Sequence, residues 1–193
     1  SAPGAVAAGQ TVSAADLSFL RFTPALNANG AAYASFTFQV QDNGGTAGGG
    51  VDLDASPNTI TIDVTPVNDA PAGADKTVVT LESSVFSFTA SDFGFTDVND
   101  SPAGSLQSVI IGTLPVKGTL SLAAGASAPG AVSAGQEIAA ADLSFLRYTP
   151  VAFENGSSYA SFTFQVRDNG GTAGGGVDLD ASPNTITIDV TSV

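Results

Sequence analysis

The sequence predicts an all-β protein, folded as an Ig-like, Greek-key antiparallel sandwich of about seven strands. Three observations carry this expectation. Short apolar runs with a period of two recur along the chain. The stretches between them are rich in Gly, Pro, Asn and Asp, the residues of turns. The only helical candidate is one Ala-rich turn over 139–143.

The strands follow in order. Residues 77–81 read TVVTL, a β-branched run. Residues 84–90 alternate, with Phe86, Phe88 and Ala90 on one face. Residues 106–114 are almost continuously apolar, as a central strand buried on both faces requires. Residues 117–122 follow after Pro115, and 145–149 form a short strand after the Ala-rich turn. Ala160, Phe162, Phe164 and Val166 alternate with Ser161, Thr163 and Gln165, and Ile186, Ile188 and Val190 alternate with Thr185, Thr187 and Asp189. That makes seven strands with turn-rich joints.

An internal repeat sets the organisation. Residues 1–67 match 127–193 at a constant offset of 126, with 54 of the 67 positions identical. Residues 68–126 occur once. The chain therefore reads as about one and a half units of a tandem array: 1–67 is the C-terminal half of one repeat, and 68–193 is a complete one. The half repeat is expected to be loosely ordered or completed by another molecule through domain swapping. It also has the option of competing with 127–193 for 68–126, at the expense of the linker geometry.

Composition removes several functions. The chain has no His, Cys, Met or Trp. Imidazole-based nucleophile pairs, thiolate chemistry, disulfides and structural zinc are thereby excluded. No catalytic residues are expected, and paired-carboxylate glycoside hydrolysis is set aside because no Trp stacks a sugar and the acids sit in loops. Eighteen acids against five bases, a net charge of -13, argue against nucleic acid and anionic membranes as partners. No stretch approaches the roughly 20 apolar residues of a membrane span. No signal peptide opens the chain, which reads as part of a longer protein.

Fifteen of the 18 acids are Asp. A Greek-key course brings three Asp-bearing stretches to the pole where the complete repeat begins. These hold Asn68 and Asp69; Asp92, Asp97, Asn99 and Asp100; and Asp168, Asp178 and Asp180. So many carboxylates repel one another unless a cation neutralises them. Bound Ca²⁺, which takes six to eight oxygen ligands, is the economical solution.

Three stretches carry a family resemblance. Asn68-Asp69-Ala70-Pro71 after a final strand resembles the inter-domain linker of cadherin repeats. Asp97-Val98-Asn99-Asp100 resembles the Asp-rich loop of the following cadherin domain, and Phe164-Gln165-Val166-Arg167-Asp168 the later strand whose terminal Asp completes the cation site. The unit as a whole is similar to cadherin-like tandem repeats of large secreted bacterial surface and biofilm adhesins. The resemblance implies a cell-surface, extracellular rod of repeats stiffened by calcium at its joints. Its partners would be neighbouring repeats and, in some members, extracellular polysaccharide. The family's other half-site would use Glu82 and Glu154, but the earlier copy has Ala28 at the second of these positions and lacks the segment that holds the first.

Other motifs lead elsewhere. Asp52 to Asp63 places oxygens at EF-hand-like positions, yet Pro57 occupies the position that needs Gly. The Gly-rich run 44–50 lacks the Lys and the helix of a phosphate loop and reads as flexible. A lectin-like, polysaccharide-binding module is the alternative to a structural spacer. It would use Tyr148 and Tyr33/Tyr159 as stacking platforms, the latter on the outward parity of its strand.

Overall fold

The computed structural model describes residues 4–193, in two units, 4–65 and Pro66–Val193. The structure is mostly β, with several antiparallel pairings.

In the first unit, β1 (Gly30–Phe38) pairs antiparallel with β2 (Asn58–Val64). This hairpin carries a bulge between Gly30 and Ala34. The carboxylate of Asp63 accepts the Ala32 N–H at 2.7 Å, and Ala32 adopts a left-handed φ of 51° at the bulge. The apolar side chains of the pair, Phe36, Phe38 and Ile60, are exposed.

The second unit is built on two sheets. In chain order its strands are β3 (Lys76–Leu81), β4 (Phe86–Ser87), β5 (Leu106–Ile111), β6 (Thr119–Leu122), β7 (Gly130–Ala131), β8 (Glu137–Ala139), β9 (Leu146–Thr149), β10 (Gly156–Asp168) and β11 (Asn184–Thr191). One sheet has the order β3-β11-β10-β5-β8, the other β4-β9-β6-β7. All pairs are antiparallel except β3–β11, which is parallel and departs from the purely antiparallel expectation. Each of the seven expected runs contains a strand, and the two short strands β7 and β8 are additional. Run 84–90 shortens to two strand residues because Thr89 opens a 3-10 turn over Ala90–Phe93, with Asp92 as its capping carboxylate. The Ala-rich turn becomes a 3-10 helix, Ala140–Phe145.

The two sheets share one core. Phe162 and Phe164 of β10 meet Phe88 and Phe93 edge-on, with ring centroids 5.6 and 4.9 Å apart. Ile111, Ile138, Leu143, Leu146, Ile186 and Ile188 complete the buried cluster. Alternation along β10 buries Ala160, Phe162, Phe164 and Val166 in turn. The next residue of the same parity is Asp168, so the pleat that buries the core stripe also buries a carboxylate at its end. No helix among the described residues is long and apolar enough to cross a membrane.

Candidate metal centre

Asp168 closes β10, where Asp168 registers with Leu106 of β5. Its Oδ1 accepts the Gly170 N–H at 2.8 Å, the turn signature of an Asp-Asn-Gly sequence. Asp97 follows Thr96, which forms a two-way backbone bridge with Ala72 of the linker at 2.8 and 2.9 Å. The Ala74 N–H also donates to the Phe93 carbonyl at 3.2 Å. The linker is thus zipped along the 93–97 segment, which fixes where Asp97 and Asp100 stand.

The outcome is a cluster. One carboxylate oxygen from each of Asp97, Asp100 and Asp168 lies within 4.8 Å of the other two, and Asp97 and Asp168 are buried. These three residues could hold a metal ion. Asp97 Oδ2 accepts the Gly104 N–H. Its Oδ1 is buried without any hydrogen-bond partner, and a buried, unpaired carboxylate oxygen calls for a cation or a donor. A Cβ at Gly104 would stand 2.6 Å from Asp97 Oδ2, so the close backbone approach needs glycine there.

The linker residues take part through their N–H groups. Asn68 Nδ2 donates to both oxygens of Asp168 at 3.1 and 3.2 Å and to the Val177 carbonyl at 2.7 Å. The Asn68 side-chain oxygen faces Gly170, where a Cβ would fall 1.5 Å away. Asn68, expected as an oxygen ligand, is instead a clasp between linker and strand end. The Asp69 N–H donates to both oxygens of Asp100 at 3.0 and 3.2 Å.

Three of the expected ligands stand elsewhere. Asp178 is paired with Arg167 at 2.9 and 3.0 Å. Asp180 is consumed by the turn it caps: it accepts from the Ser182 N–H, the Asn184 amide and the Gly73 N–H. Asn99 is exposed beside the cluster's loop. Asp92, placed at the same pole by chain direction, pairs with Lys76 at 2.6 Å. Burial raises its pKa, but the Lys76 ammonium and the Thr89 N–H and hydroxyl outweigh this and hold it below the ordinary carboxylate value. Chain direction found the right pole, whereas side-chain competition at that pole decided which acids are free.

The two nearest cations are therefore spent, Lys76 on Asp92 and Arg167 on Asp178 and Glu137. Among the described residues no ion pair reaches the cluster. Asp100 shows the consequence: burial first, then the charges of Asp97, Asp69 and Asp168, push its pKa up, against the opposing Asp69 N–H. Like charges at this spacing repel by roughly 1 to 4 kcal/mol per pair between water-like and protein-surface screening. A depression lined by Pro66, Asn68, Asp100, Ser101, Pro102 and Gly170 leaves Asp100 open to solvent. Gly104 and the Ser105 N–H bond to Asn169 were not singled out from the sequence.

Of the tyrosines expected to stack on a saccharide, Tyr148 and Tyr159 are core residues, and Tyr33 is half-buried against Phe22. Tyr148 is fully buried and donates to the Lys117 carbonyl at 2.9 Å; burial, with the charges of Tyr159 and Glu154, pushes its pKa up to about 12. Tyr159 is buried as well, donates to Glu154 and lies under the Lys117 ammonium, 4.8 Å from its ring centroid. The outward parity assigned to Tyr159 fails because the bulge between Gly156 and Ala160 shifts the pleat by one residue just before it regularises.

The chain was compared with family models, curated proteins and solved structures, and none of them matches it.

Proposed function

We propose that Pro66–Val193 is a cadherin-like, Greek-key sandwich repeat that serves as a calcium-stabilised structural extender of a bacterial cell-surface adhesin. The single observation that carries the reading is the buried, partnerless Oδ1 of Asp97 inside the Asp97/Asp100/Asp168 cluster. Calcium suits this donor set better than magnesium, because it accepts several carboxylates in irregular geometry, whereas Mg²⁺ demands a near-octahedral shell and keeps its waters. Asp97, Asp100 and Asp168 would supply charge. Asn68 and the Asp69 N–H would tie the linker to two of the ligands, so that filling the site stiffens the point where the chain enters the repeat. The extracellular location and the neighbouring repeats as partners belong to the same reading.

Cation binding to the folded state alone adds about 2.7 kcal/mol at a hundredfold excess over Kd. Thermal unfolding of chelated protein, titrated separately with CaCl₂ and MgCl₂, tests this. Calcium is expected to raise Tm by roughly 10 °C and magnesium by far less. A melting curve indifferent to both ions overturns the proposal.

A further inference from the structure

The end of β10 opposite Asp168 carries Glu82 and Glu154, the two glutamates that the cadherin resemblance assigns to a second calcium half-site. Thirteen strand residues separate it from the aspartate cluster, roughly 40 Å of extended chain. Glu154 Oε2 accepts from the Lys117 ammonium and from the Tyr159 hydroxyl, each at 2.9 Å. Glu82 accepts the Asn155 amide on one oxygen and the Val193 N–H on the other, both at 3.2 Å. Lys117 is itself held from several sides. Its ammonium lies over the Tyr159 ring, and its carbonyl accepts the Tyr148 hydroxyl at 2.9 Å. The backbone that follows turns at Gly118, with φ 72°, where a Cβ would stand 2.5 Å from the Thr149 carbonyl oxygen. Two of these contacts belong to this copy alone, since Tyr148 and Glu154 correspond to Phe22 and Ala28 in the other. The Lys117 ammonium, with the Tyr159 hydroxyl, holds the Glu154 carboxyl below its ordinary pKa, and Glu154 raises that of Lys117.

We infer that the Lys117 ammonium is the resident cation of this pole, taking at Glu154 the place a divalent ion would hold, so that Glu82 and Glu154 do not form a calcium half-site in the native chain. Calcium needs six to eight oxygens that are free to face it. Here both oxygens of Glu82 and one of Glu154 face N–H or O–H donors of the same chain. A divalent ion at Glu154 would also stand against an ammonium bonded to the same carboxylate, and like charges that close repel. Expelling the ammonium would forfeit its contact with the Tyr159 ring as well. The Asp97 cluster is the opposite case, with one buried oxygen lacking any donor and no ammonium in reach. Lys117 and Glu154 are about half exposed, so the pair contributes little stability by itself. Its effect is occupancy: the loop before β6 is tied to the turn before β10 without metal. This inference does not rest on the calcium reading of the Asp97 cluster.

Tyrosine-sensitised luminescence of Tb³⁺, a calcium surrogate, tests it. The chain has no Trp, and of its three tyrosines Tyr148 and Tyr159 stand at this pole. All chains compared carry Asp97→Asn, Asp168→Asn and Tyr33→Phe, which remove the other cluster and the third tyrosine, so the readout is blind to the fate of that cluster. The chain with Lys117 is expected to give no saturable emission. Lys117→Met is expected to gain emission several-fold and to lose it again when Glu154→Gln is added. Calcium-displaceable emission from the Lys117 chain that Glu154→Gln removes overturns the inference, as does a Lys117→Met chain no brighter than its parent. A second arm keeps the aspartates and reads amide exchange at the Glu154 N–H, which bonds to the Val151 carbonyl at 3.3 Å. In chelated protein Lys117→Met should speed exchange there several-fold and Lys117→Arg should restore it, while calcium leaves the native rate unchanged. Exchange that is indifferent to Lys117→Met, or that calcium slows at this turn in the native chain, refutes the inference.

Discussion

Phe36 and Phe162 occupy equivalent positions in two near-identical copies, yet Phe36 is 42% exposed and Phe162 1%. Leu17 and Leu143 differ in the same way, 56% against 0%. The hairpin beneath them is the same in both copies, down to the carboxylate that holds the bulge: Asp63 to the Ala32 N–H, and Asp189 to the Ser158 N–H. The Asx turns also coincide, with Asp54 bonded to Ser56 and Asn58 as Asp180 is to Ser182 and Asn184. The hairpin register, its bulge and its Asx turns appear twice. Everything that needs 68–126 appears once.

The acids show the same division. Asp42 and Asp168 begin identical Asp-Asn-Gly-Gly turns, and each accepts the N–H two residues on. Only Asp168 is buried and held near Asp97 and Asp100, because only β10 continues past Gln165 along β5. The Gln41 amide reaches Asp52 at 3.0 Å where the Arg167 guanidinium reaches Asp178 at 2.9 Å. The local bond survives the substitution and the ion pair does not.

The largest expected contrast is in the core. Phe162→Ala should destabilise the second unit by about 3 to 5 kcal/mol in chemical denaturation. Phe36→Ala should stay within about 0.5 kcal/mol, as for an exposed site. Equal effects would mean that the first unit has a covered core of its own in solution. Next comes the cation term. Asp168→Asn should remove most of the calcium-dependent stabilisation, roughly 2 to 3 kcal/mol, while Asp42→Asn leaves it intact. Loss of the calcium effect in both variants would break the distinction between the two copies.

A smaller and shared effect is expected at the bulges. Asp189→Ala and Asp63→Ala each remove one hydrogen bond to the bulge, and each should speed local amide exchange by an amount equivalent to about 1 kcal/mol. A response in one copy only would show that the bulge is not set by the hairpin itself. The smallest effect is electrostatic. The pKa of Asp100 is raised in the folded state, so the folded state holds its proton more tightly than the unfolded chain. In chelated protein the resulting penalty is absent below the ordinary carboxylate value, appears as pH rises through it, and is complete above the raised value. Asp100→Asn should therefore be the more stable protein at neutral pH without metal, with the gap closing on acidification. Asp92 acts in the opposite sense: its lowered pKa contributes stability at neutral pH that is lost as pH falls through the folded value. Denaturation midpoints for the two proteins across pH 3 to 7, a window set by these ordinary carboxylate values, separate the contributions.

Much of the fold was legible. Alternation located β10 and β11, the nearly continuous apolar run located β5, and chain direction placed the linker, the 97–100 loop and the end of β10 at one pole. The cluster within that pole was legible only in part. Asp97, Asp100 and Asp168 remain available because Arg167 and Lys76 choose Asp178 and Asp92, and because Asp180 is taken by its own turn. Those are competitions among groups far apart in sequence, and no periodicity encodes them. Tyr159 was misplaced for a related reason, since a bulge changes parity without changing composition.

The sequence by itself determined the β period, the repeat and its offset, and the surplus of carboxylate over cation. These depend on near neighbours and on counting, and both are properties of the string. The tertiary structure alone decided which acid lies buried without a partner. It also decided which strands exist beyond the hairpin, because a strand needs the hydrogen bonds of a neighbour, and here that neighbour is supplied by a segment the chain contains only once.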